Sequence, residues 1–122
     1  MPKRIILNEH ILTDRRYFSM LIRTCGYEVI TVESAEDALA LARREKPDFT
    51  QLSFQQVGLS SIDVIGLING DPELKSTPVL LVTSEHSTKP EDHGVSADDV
   101  VALLQKPVSV KAYTDLLTAT LG

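Results

Sequence analysis

Four groups of polar residues in this chain each follow a run that is apolar or rich in β-branched residues. They are Asn8-Glu9-His10, Ser53-Phe54-Gln55, Thr83-Ser84 and Lys106-Pro107. They supply a carboxylate, an imidazole, hydroxyls and an ammonium group, which proteins use for acid–base chemistry and for binding ions. A histidine near a serine is also the pair that activates a hydroxyl nucleophile, but no third residue that would orient the histidine is identifiable. These groups form one site only if the fold brings the ends of the runs together.

Signatures of other enzymes and of dedicated metal sites are absent from the sequence. It has no glycine-rich phosphate loop, no cysteine pair and no G-x-S-x-G segment. None of the three histidines has a ligand spacing such as H-x3-H, so exposed loop histidines are the expected interpretation. A metal or small-ligand sensor that uses Glu9, His10 and His86 stays open as an alternative.

Strands are expected to carry the polar groups at their ends. Short apolar or β-branched runs predict strands at Arg4–Asn8, Glu28–Val32, Asp48–Phe54 and Pro78–Thr83. The third of these is unusually polar for a buried strand. Its polar residues are Thr50, Gln51 and Ser53.

The stretch that leads to Lys106 has a weaker pattern. Pro90 and Gly94 interrupt it, so a full-length helix is not expected there. Two interpretations stay open: Ser96 caps a late helix, or Val100–Gln105 forms a fifth strand.

Helical spacing and end signals predict helices between the strands. Thr13 is expected to cap the first helix and Gly26 to end it, while Ser34 opens a capping box for the second and Pro47 stops it. A short third helix follows with isoleucines at a three-residue spacing, and Ser109 caps the last helix. The residues expected on the buried helix faces are Phe18, Leu21, Ile22, Cys25, Ala35, Ala38, Leu39, Ala42, Ile62, Ile65, Ile68, Tyr113, Leu116, Leu117 and Thr120.

Strands that alternate with helices imply βαβ crossovers and a parallel sheet. The 122 residues accommodate five such units, which predicts one small doubly wound α/β domain over residues 1–122. Ligands of such sheets bind at the carboxyl ends of the strands, where the four polar groups are expected to lie.

Composition and charge exclude several classes of function. The net charge of −5 argues against a protein that binds a phosphate backbone, because that affinity needs clustered Lys and Arg. No apolar run approaches the ~20 residues that span a bilayer, and the single cysteine favours a reducing, cytoplasmic location. Residues 1–46 contain 8 Lys/Arg and 7 Asp/Glu, whereas residues 47–122 contain 4 and 10. A solvated acidic surface is the expected interpretation of the second half, and an acidic partner-binding face is the alternative.

Over essentially its whole length, the chain resembles the receiver domain of bacterial two-component response regulators, the CheY-like superfamily. The matching phrases are Pro2-Lys3-Arg4-Ile5-Ile6-Leu7, Cys25-Gly26-Tyr27-Glu28-Val29, Ser34–Ala42, Lys46-Pro47-Asp48, Asp71-Pro72-Glu73-Leu74-Lys75, Thr77–Thr83 and Lys106-Pro107-Val108. The resemblance implies a flavodoxin-like five-stranded parallel sheet of order 2-1-3-4-5 with five helices, of which the fourth is short or irregular.

The resemblance also places a phosphorylation pocket on this chain, in an altered form. The position of the family's acid pair falls on Glu9 and His10, and the position of its phospho-accepting aspartate falls on Ser53. Thr83 and Lys106 match the family directly. A serine hydroxyl is not ionised near neutral pH without a neighbouring base, so the usual acceptor chemistry is missing.

The same substitutions remove ligands that the family offers to Mg²⁺. Mg²⁺ prefers several oxygen ligands, and an imidazole such as that of His10 suits softer metals. No cofactor is therefore expected, and Mg²⁺ is not expected to bind as in active receivers. Lys106 is expected to pair with Glu9, while Thr83 has the simpler interpretation of finishing a strand. With fewer carboxylates repelling one another, the domain is expected to fold without metal.

The residues that, in the family, couple the phosphorylation pocket to the partner-binding face are altered as well. The position of the family's switch aromatic, three residues before the lysine, is Leu103, which has neither a flat ring nor a polar tip. The segment 85–99 corresponds to the family's fourth helix, part of its usual partner-binding face, and Asp92, Asp98 and Asp99 are its candidate contact residues.

The leading hypothesis is a non-enzymatic pseudo-receiver, which binds signalling proteins without aspartate phosphorylation. The expected partners are a histidine kinase, an output domain or a second copy of the chain, with no direct contact to nucleic acid or membrane. One alternative is an atypical receiver that uses Ser53 as acceptor and His10 as base. The other is the metal or small-ligand sensor described above.

Overall fold

Five parallel strands form one sheet with the order β2-β1-β3-β4-β5. In this computed structural model, which describes residues 2–56, 58–87 and 89–122, the strands are β1 (Arg4–Asn8), β2 (Glu28–Val32), β3 (Phe49–Ser53), β4 (Val79–Thr83) and β5 (Ala102–Gln105). Every neighbouring pair runs parallel. The predicted doubly wound sheet and its strand order are confirmed.

Four α-helices, counted over the described residues, cover the two faces of the sheet. They are α1 (Leu12–Thr24), α2 (Ala35–Glu45), α3 (Ser61–Asn69) and α4 (Val110–Leu121). Two of the predicted caps form as expected, because the Ser34 hydroxyl accepts from the amide of Asp37 and the Ser109 hydroxyl accepts from the amide of Ala112. Gly26, at the end of α1, has a φ of 89°, a conformation that favours glycine.

The predicted cap of α1 is wrong. Thr13 lies inside the first turn, and Ile11, the residue before the helix, makes no side-chain cap hydrogen bond. The Ile11 amide instead donates to the carboxylate of Glu9, with N and Oε1 3.4 Å apart. A capping hydroxyl accepts from an amide inside the first turn, whereas the buried carboxylate of Glu9 accepts from the amide of Ile11, the residue before the helix.

The expected fourth of five helices is also corrected. Between β4 and β5, the described residues contain only two short 3-10 turns, Pro90–His93 and Ala97–Asp99. Pro90 lacks an amide proton for a continuing helix, and Gly94 ends the first turn in the left-handed region with a φ of 77°. Ser96 caps the second turn, and the expected fifth strand forms as Ala102–Gln105, so each alternative for this stretch was partly right. Thr88 lies outside the described residues.

The core consists of two apolar layers, one on each face of the sheet. One layer packs α2 and α3 against the strands, and the other packs α1 and α4. All five residues of β3 are buried, including the polar ones, because β3 lies at the centre of the sheet. None of the helices formed by the described residues is both long and apolar enough to cross a membrane.

Candidate functional site

The carboxyl ends of four strands bring the predicted polar groups to one edge of the sheet. Glu9 follows β1, Ser53 and Thr83 are the last residues of β3 and β4, and Lys106 follows β5. Glu9, Ser53 and Thr83 are almost completely buried, with exposed fractions of 0%, 1% and 0%. The fold therefore assembles these residues, as the sequence predicts for a parallel sheet.

The ammonium group of Lys106 lies between two carboxylates. Its Nζ is 2.9 Å from Oε2 of Glu9 and 2.8 Å from Oδ2 of Asp14. The predicted pair with Glu9 is present, whereas Asp14 was not anticipated. Asp14 lies in the first turn of α1, and its spacing after β1 carries no signal that its side chain turns back to the end of β5.

The surroundings of Lys106 stabilise its charged form. Burial opposes the charge, but the hydrogen bond to Asp14, the close contact with Glu9 and the charges of both carboxylates outweigh burial and raise the pKa of Lys106. The positive charge at this site is thus compensated inside the protein.

His10 lies at the rim of the pocket. Its side chain is 39% exposed, in contrast to the buried Glu9, and its Nδ1 is 3.9 Å from Oε1 of Glu9. His10 makes no hydrogen bond to Ser53 in the part of the chain that the structure describes, because the Ser53 hydroxyl has no hydrogen-bond partner there. The geometry therefore does not show His10 in the position of a base for Ser53.

An amide network surrounds Ser53. The Ser53 amide donates to Oδ1 of Asn8 at 3.2 Å. Nε2 of Gln56 donates to Oδ1 of Asn8 and to the carbonyl of Ser53, while its Oε1 accepts from the amide of Ala35 at 3.1 Å. Neutral side chains thus tie the ends of β1 and β3 to the start of α2. Gln56 was not among the predicted site residues, since a glutamine in a loop carries no sequence signal of such contacts.

The Thr83 hydroxyl accepts hydrogen bonds from the turn after β4 and from Gln55. It accepts from the amide of Glu85 at 2.9 Å and from Nε2 of Gln55 at 3.3 Å. Oε1 of Gln55 accepts from the amide of Ser84 at 3.3 Å. These contacts agree with the simpler interpretation of Thr83 as a residue that finishes the strand.

The remaining predicted residues lie outside the pocket. Leu103 is in β5 and belongs to the core layer with α2 and α3, with 7% of its surface exposed. Asp92 and Asp98 are exposed on the two 3-10 turns, and Asp99 is half-buried. The Asp92 carboxylate accepts from the Ser87 hydroxyl at 2.6 Å.

The metal-sensor alternative requires Glu9, His10 and His86 to converge. Within the described ranges, no three His, Cys, Asp or Glu side chains are grouped so that they could hold a metal ion. His86 is exposed in the loop after β4. The geometry gives this alternative no support.

Comparisons with curated proteins find relatives that match the whole chain. No protein-family model matches it. The chain is 30% identical, over 122 residues, to the polar-differentiation response regulator DivK of Brucella anthropi, covering 100% of this chain and 98% of that protein. The DivK protein of Brucella abortus has the same identity and coverage.

Solved structures with the same fold include a chemotaxis protein and a receiver domain. The chemotaxis protein CheY4 of Vibrio cholerae has a TM-score of 0.86 at 21% identity, covering 99% of this chain and 100% of that chain. The receiver domain of a sensor histidine kinase from Pseudomonas aeruginosa, which holds a magnesium ion in its active-site cleft, has a TM-score of 0.87 at 16% identity, covering 98% of each chain. At these identities the similarity concerns the fold alone.

Proposed function

The chain belongs to the response-regulator receiver family of two-component signalling, and from this premise we propose that it is a pseudo-receiver. In this proposal residues 1–122 act as one signalling domain that binds protein partners without phosphorylation of an aspartate. Receiver domains are typically non-catalytic signalling modules, and the partners proposed here are signalling proteins such as a histidine kinase or an output domain.

The residue at the end of β3 carries the proposal. Sequence resemblance assigns Ser53 to the position of the phospho-accepting aspartate, and its hydroxyl is buried without a hydrogen-bond partner among the described residues. A buried, neutral hydroxyl with no base beside it is a poor nucleophile toward phosphorus. Phosphorylation in the family's manner therefore lacks its acceptor.

The oxygen ligands at this edge of the sheet do not fit Mg²⁺. The carboxylates of Glu9 and Asp14 are both paired with Lys106, and the neighbouring side chains of Asn8, Ser53 and Gln56 are neutral. Mg²⁺ is bound mainly by carboxylates, water and phosphate in octahedral geometry, and it gives up its water ligands reluctantly.

Leu103, at the position of the family's switch aromatic, also supports a domain that binds its partners without phosphorylation. Leu103 is packed in the apolar core, with Leu81 of β4 opposite it, and has no polar atom in its side chain. The Thr83 hydroxyl accepts from the amide of Glu85 in the turn after β4. We therefore propose that neither residue acts as a phosphate-driven switch in this chain.

The acidic turns between β4 and β5 are the proposed partner-binding face. Asp92 and Asp98 are exposed, and the half-buried Asp99 follows in the same turn as Asp98. Short 3-10 turns in place of a helix give this face a shape unlike that of an ordinary fourth helix. A partner with a basic surface complements it.

Incubation with a small phosphodonor and Mg²⁺, followed by intact-mass measurement, tests the proposal. The wild-type chain is expected to gain no phosphate. A His10→Asp/Ser53→Asp variant supplies both missing carboxylates and serves as the control in which phosphate is expected.

Nuclear magnetic resonance (NMR) spectra recorded with beryllofluoride and Mg²⁺ give an independent readout. Backbone signals around Ser53, Thr83 and Lys106 are expected to stay unchanged. Phosphate on the wild-type chain, or shifts at those three positions, would contradict the proposal and favour Ser53 as an atypical acceptor.

A further inference from the structure

A groove of about 540 Å³ lies between the outer side of α1 and the edge strand β2. Three arginines line it, together with Met20 and Thr31. These residues belong neither to the pocket at the strand ends nor to the acidic turns. We call this feature the arginine groove.

The charges of the arginine groove are incompletely compensated. Arg15 is held in place, since its Nη1 donates to the Glu9 carbonyl at 3.3 Å and lies 3.7 Å from Oε1 of Glu33. Arg16 and Arg23 are exposed, and in the described part of the chain neither has a carboxylate within 4.0 Å. Two guanidinium groups are therefore available to an outside carboxylate.

An exposed apolar side chain lies between these two arginines. Met20 is 57% exposed, and it follows Arg16 by four residues and precedes Arg23 by three. Residues at this spacing share one face of a helix. Methionine adapts its shape to different apolar partners, which suits it to a contact surface.

The position of these cations is unusual for a chain with a net charge of −5. The only acidic residue of α1 is Asp14, and its carboxylate is paired with Lys106. The outer side of α1 is thus locally positive on a molecule that is negative overall. Complementary charge at an interface steers association and selects the partner.

We propose that the arginine groove docks an acidic helical segment of a partner protein. That segment presents two carboxylates, one toward Arg16 and one toward Arg23, on either side of an apolar side chain that contacts Met20. The two arginines are seven residues apart, which corresponds to about 10.5 Å along a helix axis, so carboxylates seven residues apart on the partner match them. The apolar centre and the overall negative charge favour a protein segment over nucleic acid. This proposal holds whether or not Ser53 accepts phosphate.

A synthetic helical peptide with glutamates seven residues apart around a leucine is the probe. It is titrated into the isotope-labelled chain while the backbone amide signals are followed by NMR. Shifts are expected only in α1 and β2. The Arg16→Glu/Arg23→Glu variant is expected to bind on the order of tenfold more weakly, because two exposed ion pairs are replaced by repulsion.

Two controls distinguish specific binding of the peptide in the arginine groove from nonspecific electrostatic attraction. Arg44→Glu/Lys75→Glu changes the net charge equally at exposed positions outside the groove and is expected to leave binding unchanged. A peptide with lysines in place of the glutamates is expected to bind Arg16→Glu/Arg23→Glu and not the wild type. Circular dichroism confirms that both variants are folded.

Several outcomes would overturn the proposal. They are an absence of shifts at millimolar peptide, equal weakening in both double variants, and shifts that fall mainly in residues 89–99. A DNA duplex that gives the same shifts with similar affinity would show a general anion site. Self-association that is lost in Arg16→Glu/Arg23→Glu would show that a second copy occupies the groove.

Discussion

The ammonium group of Lys106 is the permanently charged cation that the described residues place against the Glu9 carboxylate. Glu9 is fully buried, whereas Asp14 is 33% exposed and has access to water. If Lys106 is removed, Asp14 is solvated but Glu9 is left as an uncompensated buried charge. The energetic role of Lys106 is therefore larger toward Glu9 than toward Asp14.

Lys106→Met is expected to lower the free energy of unfolding by about 3 kcal/mol, which is the lower end of the range for breaking a buried ion pair. The lower end applies because the pocket is partly open at Asp14 and Lys106. Urea denaturation measures the change. Glu9→Gln/Lys106→Met, which removes both charges, is expected to recover most of the loss.

The exposed pair of Lys111 and Asp115 offers a matched control, with Nζ and Oδ2 also 2.8 Å apart. Lys111→Met is expected to leave the urea midpoint unchanged, because a solvent-exposed pair contributes little. Equal midpoints for Lys106→Met and the wild type would mean that the Glu9 contact is energetically unimportant.

The raised pKa of Lys106 predicts a pH dependence. Its ion pairs contribute stability fully below the ordinary lysine pKa of 10.5, and this contribution is lost as the pH rises through the higher pKa of the folded state. Burial also raises the pKa of Tyr27 and Tyr113, so their ionisation opposes folding in the same alkaline range. Melting temperatures from neutral pH into this range are expected to fall more steeply for the wild type than for Lys106→Met, which keeps both tyrosines. Parallel profiles would rule out this role of Lys106.

Part of the pocket at the strand ends was predictable from the sequence. The convergence of Glu9, Ser53, Thr83 and Lys106 follows from parallel strands, whose carboxyl ends share one edge. The contribution of Asp14 was not predictable, because it depends on where the first turn of α1 lies. The amide network around Gln56 was missed for the same kind of reason: its partners come from three different elements.

Among the secondary-structure elements, β3 carries one polar residue, Gln51, that is explained by its contact with α4. The Tyr113 hydroxyl donates to Oε1 of Gln51, and both side chains are buried. Nε2 of Gln51 has no hydrogen-bond partner within the described ranges. This single contact satisfies one polar atom of a buried strand and fixes α4 against it.

Tyr113→Phe is expected to destabilise the chain by about 1–3 kcal/mol, because Oε1 of Gln51 becomes a buried acceptor without a donor. The phenylalanine ring keeps the packing against Phe18, whose ring centroid lies 4.9 Å away. Urea denaturation measures the loss. Gln51→Met/Tyr113→Phe removes both polar partners and is expected to regain stability; a single variant as stable as the wild type would refute the explanation.

Most elements were predictable from local signals. Ser34 and Ser109 mark helix starts because their hydroxyls accept nearby amide protons. The prediction that Thr13 caps α1 is wrong because the helix already begins at Leu12, which places Thr13 inside the first turn. The stretch around Pro90 and Gly94 was recognised as irregular, but its 3-10 turns also make long-range contacts that local signals do not reveal. One is the edge-to-face contact of His93 with Phe54, whose ring centroids are 4.8 Å apart.

Over the whole molecule, the observed strand order is the predicted one. The charged residues are arranged in distinct regions of the surface and the pocket. The strand-end pocket holds one ammonium group between two carboxylates, and the turns between β4 and β5 carry exposed aspartates. On the α1 side, Arg16 and Arg23 have no carboxylate within 4.0 Å among the described residues. The net charge of −5 alone does not reveal this arrangement, because it depends on which carboxylates are paired.

Metal is not expected to stabilise the folded molecule. A ligand that binds only the folded state raises its stability in proportion to the logarithm of the ligand concentration above Kd. Melting temperatures in millimolar Mg²⁺ and in EDTA are therefore expected to coincide for the wild type. His10→Asp/Ser53→Asp is expected to gain a Mg²⁺-dependent increase. An increase in the wild type that disappears in Glu9→Gln would contradict this prediction.

The Lys106 contacts also have a consequence for the rates of folding and unfolding. Lys106 and Asp14 are 92 positions apart in the sequence, and their contact joins the end of β5 to α1 across the ends of β3 and β4. Closing so long a loop costs chain entropy, so such a contact forms after the local elements. Interactions that form late slow unfolding more than they speed folding. The lysine between two carboxylates therefore acts mainly on the lifetime of the folded state.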